Sequence, residues 1–135
     1  MSPTLVALVA FGAWTALLVL SLAILRVLHA QRTGKDVNTF APDGSDLEGL
    51  GQRWTRVHLN CTETLPIAAA IGLSAVISGN AAVTDGLAMP LFYLRVAQSV
   101  VHLVSTAVPF ILVRATLFVG QILILLYWAF QLLTG

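Results

Sequence analysis

Residues 5–25, LVALVAFGAWTALLVLSLAIL, form an apolar run without a charged side chain. As an α-helix, this run is long enough to cross the hydrocarbon core of a bilayer, which is about 30 Å thick. A secretory signal peptide is excluded, because no Lys or Arg precedes the run and because the run is longer than the apolar region of such a peptide. We therefore expect a membrane-spanning helix at this position.

Three further apolar runs follow. Residues 64–84 and 115–135 are uncharged, and residues 87–109 contain one charged side chain, Arg95. The chain is therefore expected to be an all-α membrane protein, a four-transmembrane-helix bundle that forms a single domain over residues 1–135. The predicted helices cover residues 4–29, 53–78, 87–105 and 110–133.

Composition supports this class. Of the 135 residues, 58% are hydrophobic and only 10% are charged, whereas a soluble domain is about one quarter charged. The net charge of +1 and the absence of a basic run exclude a nucleic-acid partner. A single cysteine, Cys61, excludes an internal disulfide framework. No metal site is expected, because His29 and His58 share no ligand spacing with each other or with Cys61.

The first connection, residues 30–52, is the one long polar stretch. Residues 45–48, SDLE, match a capping box that would start the second helix early, whereas Gly49 and Gly51 argue against that start. Basic side chains cluster in or beside this connection, and the second connection has Asp85 without Lys or Arg. The positive-inside rule then predicts that residues 30–52 are cytoplasmic and that both termini are outside. The basic residues of the first connection and its flanks are Arg26, Arg32, Lys35, Arg53 and Arg56.

Polar side chains form stripes within the apolar helices. Arg56, Asn60 and Glu63 have the spacing i, i+4, i+7 and share one helix face, which Arg53 extends. A buried charge in a membrane helix costs about 2.5–3.5 kcal/mol on insertion scales, so these residues must face other helices or a wet cavity. A second stripe on the third helix contains Arg95, Gln98 or Ser99, and His102.

Two interpretations of the stripes stay open. A salt bridge between Glu63 and Arg95 would serve assembly alone. It would leave several arginines without partners, including Arg26 at the end of the first helix and Arg114 at the start of the fourth. Surplus cations beside an apolar wall favour a site for an anionic or zwitterionic ligand.

Residues 53–66, RWTRVHLNCTETLP, match the pattern Arg-x-x-Arg-x-x-x-Asn-x-x-Glu-x-x-Pro. This segment resembles the second-helix signature of the MAPEG family, the membrane-associated proteins in eicosanoid and glutathione metabolism. Residues 93–97, YLRVA, are similar to the Arg-Val-Ala run of the family's third helix. The resemblance covers the whole chain. It implies a homotrimer of four-helix protomers that bind glutathione between subunits near the cytoplasmic face, with a lipophilic substrate or lipid that enters from the membrane.

The resemblance also implies roles for individual residues. Arg56, Asn60 and Glu63 would bind glutathione, whose carboxylates suit arginine and whose ammonium suits Glu63. Arg114 would be the catalytic residue, because a nearby cation lowers the pKa of a thiol. The further candidates for glutathione binding are Arg26, Arg95, Gln98 and His102.

The function expected from these residues is that of a membrane-bound, glutathione-dependent transferase or peroxidase that acts on lipophilic electrophiles. Glutathione is the co-substrate, and no metal is required. The alternative is a non-catalytic, lipid- or protein-binding member of the family. Three departures keep that alternative open: Leu59 replaces an arginine of one branch, His102 replaces a tyrosine, and Arg114 does not align cleanly relative to Pro109. A small transporter or proton-relay subunit is disfavoured, because few ionisable residues lie near the middle of the membrane.

Overall fold

Four helices form the protein. The computed structural model describes residues 1–36, 38–42, 44–45, 47 and 49–135. All four helices are long and apolar enough to cross a membrane, which confirms the predicted all-α, four-helix membrane fold. The helices are α1 (Pro3–Thr33), α2 (Leu50–Ile77), α3 (Ala82–Val104) and α4 (Val108–Thr134).

The ends of α1 are set by capping residues. The Ser2 side chain accepts a hydrogen bond from the Leu5 N–H, and Pro3 occupies the first helical position, where its missing N–H costs nothing. At the other end, Gly34 adopts a φ of 71° and donates its N–H to the Ala30 carbonyl, a left-handed cap that favours glycine. The helix therefore continues past residue 29, the predicted end, because the polar residues that end the apolar run do not break the helix.

The first connection folds back onto the start of α2. Leu47 is buried, and a Cβ on Gly44, whose φ is 74°, would lie 2.8 Å from the Thr55 side chain. The helix begins at Leu50, three residues before the predicted start at 53. The capping box expected over residues 45–48 includes Asp46 and Glu48, which lie outside the described residues.

Helix packing leaves one side of the bundle open. α3 packs on α1, α2 and α4, and α2 also contacts α1 and α4. α1 and α4, both described in full, do not contact each other. Small residues bring α1 and α2 close together: a Cβ on Gly72 would lie 3.0 Å from Leu8 and 3.1 Å from Thr4.

A polar contact fastens the start of α1 to the start of α3. The Asp85 Oδ1 atom accepts hydrogen bonds from the Thr4 N–H at 3.0 Å and from the Thr4 hydroxyl at 2.7 Å. The Thr4 and Thr84 hydroxyls lie 2.7 Å apart. Asp85 thus satisfies a first-turn N–H of α1 that has no partner within its own helix. This tie lies at the end of the bundle opposite to the first connection.

Candidate functional site

A cavity of about 400 Å³ opens between α2, α3 and α4, at the end of the bundle that carries the first and third connections. Its volume is near the lower end of the usual range for small-molecule sites, about 300–1,000 Å³. The structure brings most of the predicted site residues together here, whereas Arg26 and Arg95 do not line the cavity. The lining residues are Arg56, Leu59, Asn60, Glu63, Gln98, His102, Arg114, Ala115 and Phe118.

Three side chains of α2 form one wall, at the spacing that the sequence suggested. Arg56 and Glu63 are exposed, and Asn60 between them is half-buried. Within the described part of the chain, the side chains of Arg56 and Glu63 make no hydrogen bond or ion pair. Both charged groups are therefore free to bind a ligand of opposite charge.

Arg95 lies behind this wall, with 1% of its surface exposed. Its Nη1 donates to Asn60 Oδ1 and its Nη2 donates to Thr64 Oγ1, each at 2.7 Å, and its guanidinium carbon lies 5.4 Å from the centre of the Phe11 ring. The salt bridge considered between Glu63 and Arg95 is not formed: Nη1 and Nη2 donate to these neutral oxygens, and Nε is buried without a partner among the described residues. Arg95 therefore contacts the cavity through Asn60 and not directly.

Gln98 and His102 of α3 form the second wall. Both are buried, and Gln98 Oε1 accepts a hydrogen bond of 2.8 Å from Gln121 Nε2. Gln121 also donates to the Leu117 carbonyl at 3.0 Å. Gln121 was not among the residues predicted from the sequence. A signal was present: it is an amide in an otherwise apolar run, seven residues after Arg114 and so on the same side of α4.

His102 presents an unpartnered nitrogen. Its side chain is 5% exposed, and Nε2 is buried without a hydrogen-bond partner among the described residues. A buried polar group left unpaired costs about 1–3 kcal/mol, so such a group in a cavity wall indicates a site that a ligand or water completes.

Two other arginines make contacts outside the cavity. Arg53, expected to extend the α2 stripe, donates from Nε to the Leu103 carbonyl at 3.0 Å and so satisfies a carbonyl at the end of α3. Arg26 donates to the Ala41 carbonyl at 3.4 Å, and its guanidinium lies 5.8 Å from the centre of the Phe40 ring. Within one protomer, Arg26 thus supports the first connection.

The cavity is amphipathic. The half-buried Arg114 from the start of α4 adds a second guanidinium to that of Arg56, against the single carboxylate of Glu63. Leu59 and Phe118, each 36% exposed, provide an apolar rim. The arrangement suits a ligand with more negative than positive groups beside an apolar molecule.

The fold and the cavity define a four-helix integral membrane protein with a polar site at one end of its bundle. The sequence model of the MAPEG family matches residues 4–134. The chain therefore belongs to the MAPEG family and is a membrane protein of the family of glutathione and eicosanoid metabolism, as residues 53–66 suggested. No curated protein and no solved structure matches the chain.

Proposed function

We propose that the protein is a membrane-bound, glutathione-dependent transferase or peroxidase that acts on lipophilic electrophiles at the cytoplasmic face of the membrane. The observation that carries this proposal is the cavity, where two guanidiniums, a carboxylate and two amides lie beside an apolar rim. Glutathione has two carboxylates and one ammonium, which complement these charges. The rim formed by Leu59 and Phe118 would receive the lipophilic substrate.

Each wall has a role in binding. Arg56 pairs with a carboxylate of glutathione, since its planar guanidinium can bind both oxygens. Glu63 pairs with the ammonium. Asn60 and Gln98 donate hydrogen bonds to oxygens of the peptide. Arg95 acts by holding Asn60 in place.

Arg114 is the proposed catalytic residue. Attack on an electrophile requires the thiolate, and a cation beside the sulfur lowers the pKa of the thiol. A guanidinium keeps its charge at any physiological pH. His102, with its unpartnered Nε2, provides a second polar contact near the same wall.

A homotrimer is the proposed assembly. The number of subunits comes from the resemblance, and two observations support association. α1 and α4 do not contact each other, and only Gln121, Leu125 and Trp128 of α4 are buried within the protomer. In the trimer, Arg26 of a neighbouring subunit would complete the site. Native mass spectrometry from detergent tests this, and a protein that is only monomeric would contradict it.

The test of the function uses the detergent-purified protein. Glutathione should raise the midpoint of thermal unfolding, and the protein should conjugate glutathione to an aryl halide or reduce a lipid hydroperoxide. The ultraviolet absorbance of the thiolate should be visible in the complex. A wild-type protein that shows neither stabilisation nor turnover would contradict the proposal.

A non-catalytic, lipid- or protein-binding role is the second candidate, favoured by Leu59, where one branch of the family has an arginine, and by His102, where the family has a tyrosine. Leu59 makes the cavity less basic and more apolar than it would be in that branch. The same measurements separate the two functions. Binding of glutathione without thiolate absorbance and without turnover of either substrate would count against catalysis and favour the second candidate.

A further inference from the structure

The two amide side chains of the cavity are each held from behind by a hydrogen-bond donor. Arg95 Nη1 donates to Asn60 Oδ1 at 2.7 Å, and Gln121 Nε2 donates to Gln98 Oε1 at 2.8 Å. In both cases the amide oxygen is engaged inside the bundle. Each amide nitrogen has no hydrogen-bond partner among the described residues, and both residues line the cavity.

The orientation of Asn60 follows from the chemistry of Arg95. A guanidinium only donates hydrogen bonds, so turning the Asn60 amide would set N–H groups against N–H groups. Arg95 cannot easily move away, because it is 1% exposed and its second arm donates to Thr64 Oγ1. Asn60 therefore presents its nitrogen, and not its oxygen, to the cavity.

The orientation of Gln98 is set in two steps. Gln121 is an amide that could itself turn, but its Nε2 also donates to the Leu117 carbonyl at 3.0 Å, and a backbone carbonyl only accepts. Turning the buried Gln121 would set its oxygen against the Leu117 carbonyl oxygen, whichever way Gln98 points. The Leu117 carbonyl thus determines the orientation of the Gln121 amide. Gln121 in turn holds the Gln98 oxygen, which leaves the Gln98 nitrogen free.

We infer that Gln121 and Arg95 are positioning residues that make the polar part of the cavity a surface of hydrogen-bond donors. Asn60 and Gln98 then add N–H groups to those of Arg56 and Arg114, and Glu63 supplies the one carboxylate among the lining residues. Such a surface selects a ligand rich in carboxylate and carbonyl oxygens and rejects one that offers N–H groups in their place. The identity of that ligand as glutathione rests on the proposed function, but the selectivity does not.

The experiment compares Gln121→Met with Gln131→Met, a matched change on the same helix outside the cavity. Isothermal titration of the purified assembly would use glutathione, glutarate and glutaramide, the last two differing only in carboxylate against amide groups. Gln121→Met releases Gln98, which can then turn its oxygen to the cavity. We expect glutathione affinity to fall up to about tenfold, the upper end of the range for one lost hydrogen bond between neutral groups.

The preference for glutarate over glutaramide should fall with it, and Gln131→Met should change neither value. A merely structural role for Gln121 would lower the yield of folded protein without changing this preference. Arg95→Met applies the same test to the other wall and removes a costly buried charge from α3. If neither variant can be purified, the wild type decides, because equal affinity for glutarate and glutaramide would overturn the inference.

The outcomes separate the inference from the proposed function. Wild-type binding of glutathione with unchanged affinity and preference in both variants would overturn the inference alone. Binding of glutarate but not of glutathione, with the expected loss in the variants, would support the inference and contradict the proposed function. A wild-type protein that binds none of the three probes would overturn both.

Discussion

Glu63→Gln replaces the carboxylate of the cavity with a neutral amide of nearly the same shape. The Glu63 side chain is exposed in the protomer and has no hydrogen-bond or ion-pair partner among the described residues. Arg95 keeps its bonds to Asn60 and Thr64. The midpoint of thermal unfolding without ligand should therefore remain unchanged, and the effect should be confined to binding.

The magnitude follows from the exposure of Glu63. A hydrogen bond to a charged group contributes about 1.5–3 kcal/mol, and water screens an exposed pair towards the lower value. We therefore expect the affinity for glutathione to fall about tenfold, since about 1.4 kcal/mol corresponds to a factor of ten. Enclosure by a neighbouring subunit would raise the loss towards about 150-fold, the upper end of the same range.

Calorimetric titration with two ligands tests the assigned partner. Glutathione should lose affinity for Glu63→Gln, whereas an analogue that lacks the ammonium should bind the variant and the wild type alike. Asp36→Asn, which removes an acidic charge outside the cavity, is the control for net charge. An equal loss for both ligands, or no loss for glutathione, would refute the assignment of Glu63 to the ammonium.

Three further predictions concern catalysis, stability and topology. Arg114→Ala should lower turnover about a hundredfold, the scale of one lost group that stabilises developing charge, and should weaken glutathione binding by a smaller factor, because a cation that favours the bound thiolate also contributes to binding. The thiolate absorbance of the complex should fall with it. Asp85→Ala should destabilise the protein by about 1–3 kcal/mol, because a buried hydroxyl and a first-turn N–H of α1 lose their acceptor; thermal unfolding measures this. Thr39→Cys should be labelled from the cytoplasm and Asn80→Cys from outside by a membrane-impermeant thiol reagent.

Each of these has an outcome that contradicts it. Unchanged turnover per folded assembly in Arg114→Ala would indicate that this arginine is only a charge at the membrane interface and has no catalytic role. Unchanged unfolding of Asp85→Ala, compared with Asp36→Ala, would show that the tie between α1 and α3 contributes nothing. Labelling of Asn80→Cys from the cytoplasm would reverse the orientation.

Hydropathy and helical periodicity predicted the fold and several of the residues that line the cavity. The apolar runs gave four helices, because a bilayer demands long uncharged segments. The spacing of Arg56, Asn60 and Glu63 placed them on one face, and all three line the cavity. Periodicity works for such residues because it states which side chains share a surface of one helix.

Periodicity did not reveal which helix faces that surface, and the partners of Arg95 were missed for this reason. Opposite charge suggested Glu63, whereas the guanidinium bonds neutral oxygens of Asn60 and Thr64. Gln121 was missed because its importance arises from contact with Gln98 on another helix. The predicted end of α1 was wrong because the helix ends at Gly34 and not where the apolar run ends.

The surroundings of Arg95 have a consequence for biosynthesis. The groups that stabilise its guanidinium are Phe11 in α1 and Asn60 and Thr64 in α2, and all of them precede Arg95 in the chain. Since synthesis proceeds from the N-terminus, the acceptors are made before the cation that needs them. When α3 with Arg95 leaves the translocon, α2 can therefore already offer the guanidinium two hydrogen-bond acceptors, and α1 an aromatic ring.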